Sequence, residues 1–90
     1  MIYEAQGQII DLSQLTRLYP AAVVKAAGET AQVSLEWAEL KAEQVPVTGY
    51  VLVFDTDPLG DVPKNRVELF YETREALDAA MREVAAILNV

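Results

Sequence analysis

Three aspartates in one short loop form the most concentrated group of side chains that could bind a metal: Asp55, Asp57 and Asp61. Two aspartates two positions apart, followed by Gly60 at the sixth position, partly match a calcium-binding loop. The match fails at Leu59, where an oxygen ligand is expected, and at Arg66, where a bidentate glutamate is expected. We therefore predict that these side chains make local turns and hold no metal. A weak divalent-cation or small-molecule site in loop 55–61 is the alternative.

The residue types that the chain lacks limit its chemistry more than any motif does. The sequence contains no histidine and no cysteine, so the commonest general base, the commonest transition-metal ligand and the thiol nucleophile are all missing. The four glycines lie far apart, which excludes a glycine-rich phosphate loop. We predict a protein that is not an enzyme, has no catalytic residue and binds no cofactor.

The net charge argues against two classes of partner. Fourteen acidic residues against seven basic ones give a charge of -7, and a negative protein repels both phosphate backbones and anionic membrane surfaces. The first residues show neither a basic region nor a long apolar run. We expect a cytoplasmic protein that binds neither nucleic acid nor membrane.

The predicted fold is organised around residues 50–54, a strand that is apolar on both faces. Successive side chains of a strand point to opposite faces. One face receives Tyr50, Leu52 and Phe54, and the other receives Val51 and Val53. Such a strand lies in the middle of a sheet, and each of its faces needs a cover.

Other alternating segments complete the predicted sheet. Residues 2–10 are predicted to form one half-buried strand, and residues 67–71 form a strand after the turn-rich loop 55–65. Residues 21–26 and 30–37 flank a short connection containing Gly28, which is typical of a hairpin.

Two segments leave alternatives open. Residues 11–18 suit a short helix or 3₁₀ turn as well as an irregular strand, and Pro20 is expected to end either one. For residues 34–44 we favour a continued strand, with a helix capped at Ser34 as the alternative. Trp37, the one tryptophan of a small domain, is expected to fill the core.

The last element is predicted to be a helix from about Arg74 to Asn89. Thr73 can cap its first turn. The helix presents an apolar stripe that is expected to be buried against the sheet: Leu77, Met81, Val84 and Leu88.

Together these elements predict one α+β domain over residues 1–90, an antiparallel meander of about four to five strands with the C-terminal helix across one face. One helix leaves the face of Val51 and Val53 uncovered. The leucines at 12, 15 and 18 are one possible cover for it. Otherwise an apolar patch is exposed, which favours a homodimer or a protein partner bound through the sheet face or an edge strand. We therefore expect a non-catalytic interaction or structural module.

Overall fold

The computed structural model describes residues 1–89 and shows an α+β fold. The elements in chain order are β1 (Ile2–Ala5), β2 (Gln8–Asp11), a 3₁₀ turn (Leu12–Gln14), β3 (Arg17–Ala26), β4 (Glu29–Val33), α1 (Leu35–Leu40), β5 (Val47–Asp55), β6 (Val67–Tyr71) and α2 (Arg74–Leu88). β3 to β6 form a four-stranded antiparallel sheet, and β1 with β2 forms a separate hairpin. The predicted class, an antiparallel sheet with a C-terminal helix against it, is confirmed.

The strand order of the main sheet is β4-β3-β5-β6, which departs from a simple meander at one place. After β4 the chain enters α1 and returns to the sheet on the other side of β3, where β5 pairs with β3. β3 and β5 are therefore the inner strands. β4 is left as an edge strand that has β3 on one side of it.

The first predicted strand, residues 2–10, is instead a hairpin, so that prediction is wrong. The turn between β1 and β2 consists of Gln6 and Gly7, with φ angles of 53° and 76°. Both angles lie in the left-handed region used by two-residue hairpin turns. Gly7, in the middle of an alternating run, was the signal for this turn.

The strand predicted through Trp37 is also wrong, because β4 ends at Val33. The Ser34 hydroxyl accepts a hydrogen bond from the Trp37 N–H at 3.1 Å and caps α1. Capping and good helix formers therefore outweigh the alternating pattern. Trp37 lies on the outer side of α1 with 38 % of its surface exposed, so it does not fill the core as expected.

Between Asp11 and Pro20 the structure shows a 3₁₀ turn followed by the start of β3, and it corrects the prediction that Pro20 ends this segment. The Asp11 side chain accepts a hydrogen bond from the Ser13 N–H and caps the 3₁₀ turn. Pro20, expected to end this segment, lies inside β3. β4 pairs with β3 only from Ala22 onward, so residues 17–21 of β3 have one unpaired side, where a strand tolerates proline.

One face of the sheet, here called the helical face, carries both helices and the β1–β2 hairpin. Its core cluster combines large strand residues with α2 and the hairpin: Tyr3, Ile10, Leu12, Leu52, Phe54, Leu69, Leu77, Ala80 and Val84. The α2 boundaries and the Thr73 cap are as predicted. Met81 is half-buried, and Leu88 is 39 % exposed, so its predicted burial is wrong. It lies at the last turn of α2.

The opposite face, here called the open face, has a smaller cluster drawn from the sheet strands alone. Ala21, Val51 and Val53 are buried, with Tyr19 and Val23 packed against them. Val51 is 6 % and Val53 0 % exposed, so the expected apolar patch over these two valines is not found. The suggested leucine cover is wrong as well, because the leucines at 12, 15 and 18 pack into the helical-face core.

Candidate functional site

The acidic loop begins with a carboxylate that is already paired. Asp55, the last residue of β5, is 2 % exposed, and its two oxygens accept hydrogen bonds from Arg66 at 2.7 and 3.0 Å. These bonds lower the pKa of the Asp55 carboxyl. The pair ties the start of loop 55–65 to its end, which is a structural use of the charge.

Asp57 is used in the same way. One of its oxygens accepts from the backbone N–H groups of Lys64 and Asn65, each at 2.9 Å, and the other accepts from the Asn65 side chain at 3.1 Å. The bond from the Asn65 backbone lowers the pKa of Asp57. Asp57 therefore closes the loop through local hydrogen bonds.

The structure brings all three predicted aspartates around one small pocket. Asp61 lies on the exposed part of the loop and lines this pocket with Asp55 and Asp57. The cavity measures about 10 Å³, which is room for about one water molecule. Within residues 1–89 no group of three His, Cys, Asp or Glu side chains is arranged to hold a metal ion.

A second polar cluster, which the sequence did not suggest, lies between β1, β6 and α2. The Tyr3 hydroxyl donates to Glu83 at 3.2 Å. The Tyr71 hydroxyl is buried, and no described residue offers it a hydrogen bond. Burial raises the pKa of both tyrosines, so neither becomes a phenolate base near neutral pH. This cluster gives no support to catalysis.

An apolar cleft of about 180 Å³ separates the end of α2 from β3. It is lined mainly by aliphatic side chains: Leu18, Pro20, Leu52, Met81, Val84, Ala85 and Leu88, with Tyr19. Clefts that bind small molecules usually measure about 300–1,000 Å³ and combine an apolar lining with several polar groups. This cleft is smaller and its lining is mainly aliphatic, so we assign it no ligand.

The edges of the main sheet differ in whether another strand can pair with them. On β6, the outward backbone groups of Phe70 are occupied by the Gln6 side chain. Its amide nitrogen donates to the Phe70 carbonyl at 2.7 Å, and its amide oxygen accepts from the Phe70 N–H at 3.3 Å. Gln6 therefore takes the place that a neighbouring strand would fill, and it blocks this edge at Phe70.

The unpaired stretch of β3, residues 17–21, is protected by Pro20. The Lys25 N–H donates to the Pro46 carbonyl at 3.1 Å, which places the Lys25 backbone groups on the side of β5. Because a strand alternates, the backbone groups of residues 18, 20 and 22 point the other way. Pro20 lacks the N–H that an added strand needs, so this stretch accepts a new strand poorly.

β4 is the third stretch of strand with an unpaired side, and in the described part of the chain no comparable protection is found there. The β3–β4 turn consists of Ala27 and Gly28, with φ of 52° and 82°. A two-residue turn of this kind is closed by a hydrogen-bonded pair, here Ala26 with Glu29. Alternation then directs the N–H and C=O groups of Thr30 and Gln32 outward. β4 contains no proline, lysine or bulge.

Comparison of this chain with models of known families, with curated proteins and with solved structures finds no match. Within residues 1–89, no helix has the length and apolar character needed to cross a lipid bilayer.

The open face is covered by its own long side chains. Gln32 on β4 donates to Glu68 on β6, and because these are the outermost strands, the bond crosses above β3 and β5. The Arg66 guanidinium lies 6.0 Å from the centre of the Tyr19 ring. The Phe70 ring packs so closely on Gly49 that a Cβ at that position would collide with it. These contacts explain why the central valines are buried without a helix above them.

The open face also differs from the rest of the molecule in charge. Its strand positions and the adjoining Arg66 carry three basic side chains, Arg17, Lys25 and Arg66, against two acidic ones, Asp55 and Glu68. The whole chain carries -7. The excess negative charge therefore lies elsewhere, and the open face does not repel an acidic chain.

The protection of the sheet edges by Gln6 and Pro20 was not predicted from the sequence. An edge strand was named as a candidate interface, but which strand it is was not predicted. The dipeptide Gln6-Gly7 signalled the hairpin turn. Nothing local indicated that Gln6 meets Phe70, because 64 positions separate them. Tyr19 and Tyr71 are both half-buried and lie on opposite faces of the sheet.

Proposed function

We propose that this protein is a non-catalytic interaction module that associates with another chain by strand addition at the edge of β4. The observation that carries the proposal is the difference between edges: Gln6 blocks β6 at Phe70, Pro20 weakens the free part of β3, and β4 stays open. An exposed edge of unpaired N–H and C=O groups is a template for another strand. Natural proteins protect such edges unless they use them.

Charge and chemistry agree with an interaction role. The chain has neither histidine nor cysteine, and the carboxylates of the acidic loop hold the loop together. The alternative function, cation or small-molecule binding at loop 55–61, requires Asp55 to leave Arg66. A cytoplasmic location belongs to the same proposal, since a chain without cysteine gains nothing from an oxidising compartment.

The experiment compares the wild-type chain with Thr30→Pro and Thr30→Val by sedimentation at protein concentrations up to about 1 mM. Proline removes one outward N–H and leaves the β3–β4 hydrogen bonds intact, because Thr30 does not donate to β3. Valine keeps the N–H and nearly the same volume, so it is the matched control. We expect the wild type and Thr30→Val to self-associate and Thr30→Pro to do so less.

Salt provides a second measurement. Two copies at -7 each repel one another, and screening over about 8–10 Å at physiological ionic strength weakens that repulsion. Association is therefore expected to strengthen modestly as salt rises. A 9.9 kDa monomer for the wild type at low and high salt contradicts the self-associating module, and equal association of the two Thr30 variants contradicts the β4 edge.

A further inference from the structure

We infer that the partner at the β4 edge is a second copy of the same chain, paired antiparallel about a two-fold axis at Ala31. This inference rests on the proposed function and adds the occupant and the register. It follows from the direction of the backbone groups, the side chains of β4 and the charge of the edge.

The backbone groups fit a symmetric pairing. Thr30 and Gln32 point outward from the edge, as the hairpin register requires. When two β4 strands run antiparallel with Ala31 facing Ala31, Thr30 of each copy meets Gln32 of the other. Each such pair exchanges two hydrogen bonds, so the two pairs satisfy all four outward N–H and C=O groups of each strand.

The side chains fit the same register. β4 is five residues long and Ala31 is its central residue, so a two-fold axis there pairs the strand over its whole length. Ala31 is exposed and small, which allows the two backbones to approach at the axis. An axis at Thr30 or at Gln32 leaves part of each strand beyond the end of the other.

Charge is compatible with this arrangement. Glu29 is the only charged residue of β4. With the axis at Ala31, Glu29 of one copy faces Val33 of the other, and the two Glu29 residues lie about 13 Å apart at about 3.3 Å per residue. That distance exceeds the screening length at physiological salt. The resulting eight-stranded sheet keeps both open faces on the same side, and these faces carry a balanced charge.

The experiment places opposite charges at the axis. Ala31→Lys and Ala31→Glu each put two like charges directly opposite one another in a symmetric pair, which destabilises cross-strand pairing. Mixing the two variants puts lysine opposite glutamate. In sedimentation at matched total concentration we expect each variant alone to associate about twofold to fivefold more weakly than wild type, and the mixture to recover most of the loss. Backbone amide exchange gives an independent readout. Thr30 and Gln32 should gain protection as concentration rises, whereas Ala31 and Val33, which bond to β3, are protected throughout.

The outcomes separate the register from the function. If Thr30→Pro weakens association but the Ala31 mixture recovers nothing, the β4 edge is used in another register or by another chain, and this inference is overturned while the proposed function stands. If the wild type stays a monomer, both are overturned. If the mixture associates and the single variants do not, the axis lies at Ala31. Because Ala31 is exposed, its variants are expected to fold, and circular dichroism of each is the check.

Discussion

The two faces of the sheet bury their centres by different means. On the helical face, large side chains such as Leu52 and Phe54 are covered by α2 and the hairpin. On the open face, smaller ones, Val51 and Val53, are covered by side chains of the sheet itself. A strand with two apolar faces therefore does not require a layer on each side. Small residues at the centre and long residues around them can close one face.

This comparison changes where an interaction surface is expected. The prediction of an exposed valine patch assumed that every apolar face without a helix meets solvent. Because Tyr19, Val23 and the Gln32–Glu68 pair already shield the valines, a partner gains little apolar area by covering them. The unpaired backbone of β4 is then the stronger reason for association, since its outward donors and acceptors form a template with which another strand can pair.

Loss of packing on the helical face should lower the stability of the protein most. Leu77 is fully buried in α2, so Leu77→Ala should lower the free energy of unfolding by about 2–5 kcal/mol. Leu88, 39 % exposed at the end of the same helix, is the control, and Leu88→Ala should cost below about 1 kcal/mol. Urea denaturation followed by circular dichroism measures both. Equal losses at the two sites would mean that α2 does not cover the sheet as the structure shows.

A smaller effect is expected at the centre of the open face. Val53 is fully buried although no helix lies above it, so Val53→Ala should cost about 1–3 kcal/mol. Val62, 80 % exposed in the loop, supplies the matched valine, and Val62→Ala should stay within about 0.5 kcal/mol. The two variants are compared by the urea concentration at the midpoint of unfolding, with the same slope of free energy against urea for both. If Val53→Ala is as mild as Val62→Ala, the open face is loosely covered and the valine patch becomes a candidate interface again.

The sequence predicted the parts of this fold that depend on local periodicity and capping. The strand at 67–71, the central strand and the Thr73-capped helix all follow from spacing and from one capping residue. The errors arise where turn or cap chemistry overrides an alternating pattern, as at Gly7 and Ser34. Whether each sheet edge is protected could not be predicted from the sequence, because the protection depends on contacts such as Gln6 with Phe70 that join distant parts of the chain.

At the rim of the open face Arg66 joins Asp55 to Tyr19, and this ion pair should make the stability of the fold depend on pH. Since the hydrogen bond from Arg66 lowers the pKa of Asp55 below its unfolded value, the stabilisation is complete above about pH 5 and is lost as the pH falls through the folded pKa. Asp55→Asn should therefore be less stable than wild type near pH 7, and the difference should shrink toward pH 2. Thermal unfolding at several pH values tests this. The exposed Asp61→Asn is the control, and a difference for Asp55→Asn that does not change with pH would contradict the ion-pair account.

Calcium should change the stability of the protein least, because the acidic loop already uses its carboxylates. Both oxygens of Asp55 are held by Arg66, and both oxygens of Asp57 accept bonds that close the loop. A calcium ion needs six to eight oxygen ligands, so it must break these contacts and enter a cavity of about 10 Å³. Calcium at about 1 mM should then leave the melting temperature within about 1 °C of the calcium-free value. A site that did bind calcium would be easily detected, because a ligand present at 100 times its Kd adds about 2.7 kcal/mol to the free energy of unfolding.

Magnesium is the matched control, and amide shifts of Asp55, Asp57 and Asp61 report on the site directly. If those three shift together and the melting temperature rises with calcium, the loop is a binding site. Cation binding at loop 55–61 then replaces strand pairing as the proposed function.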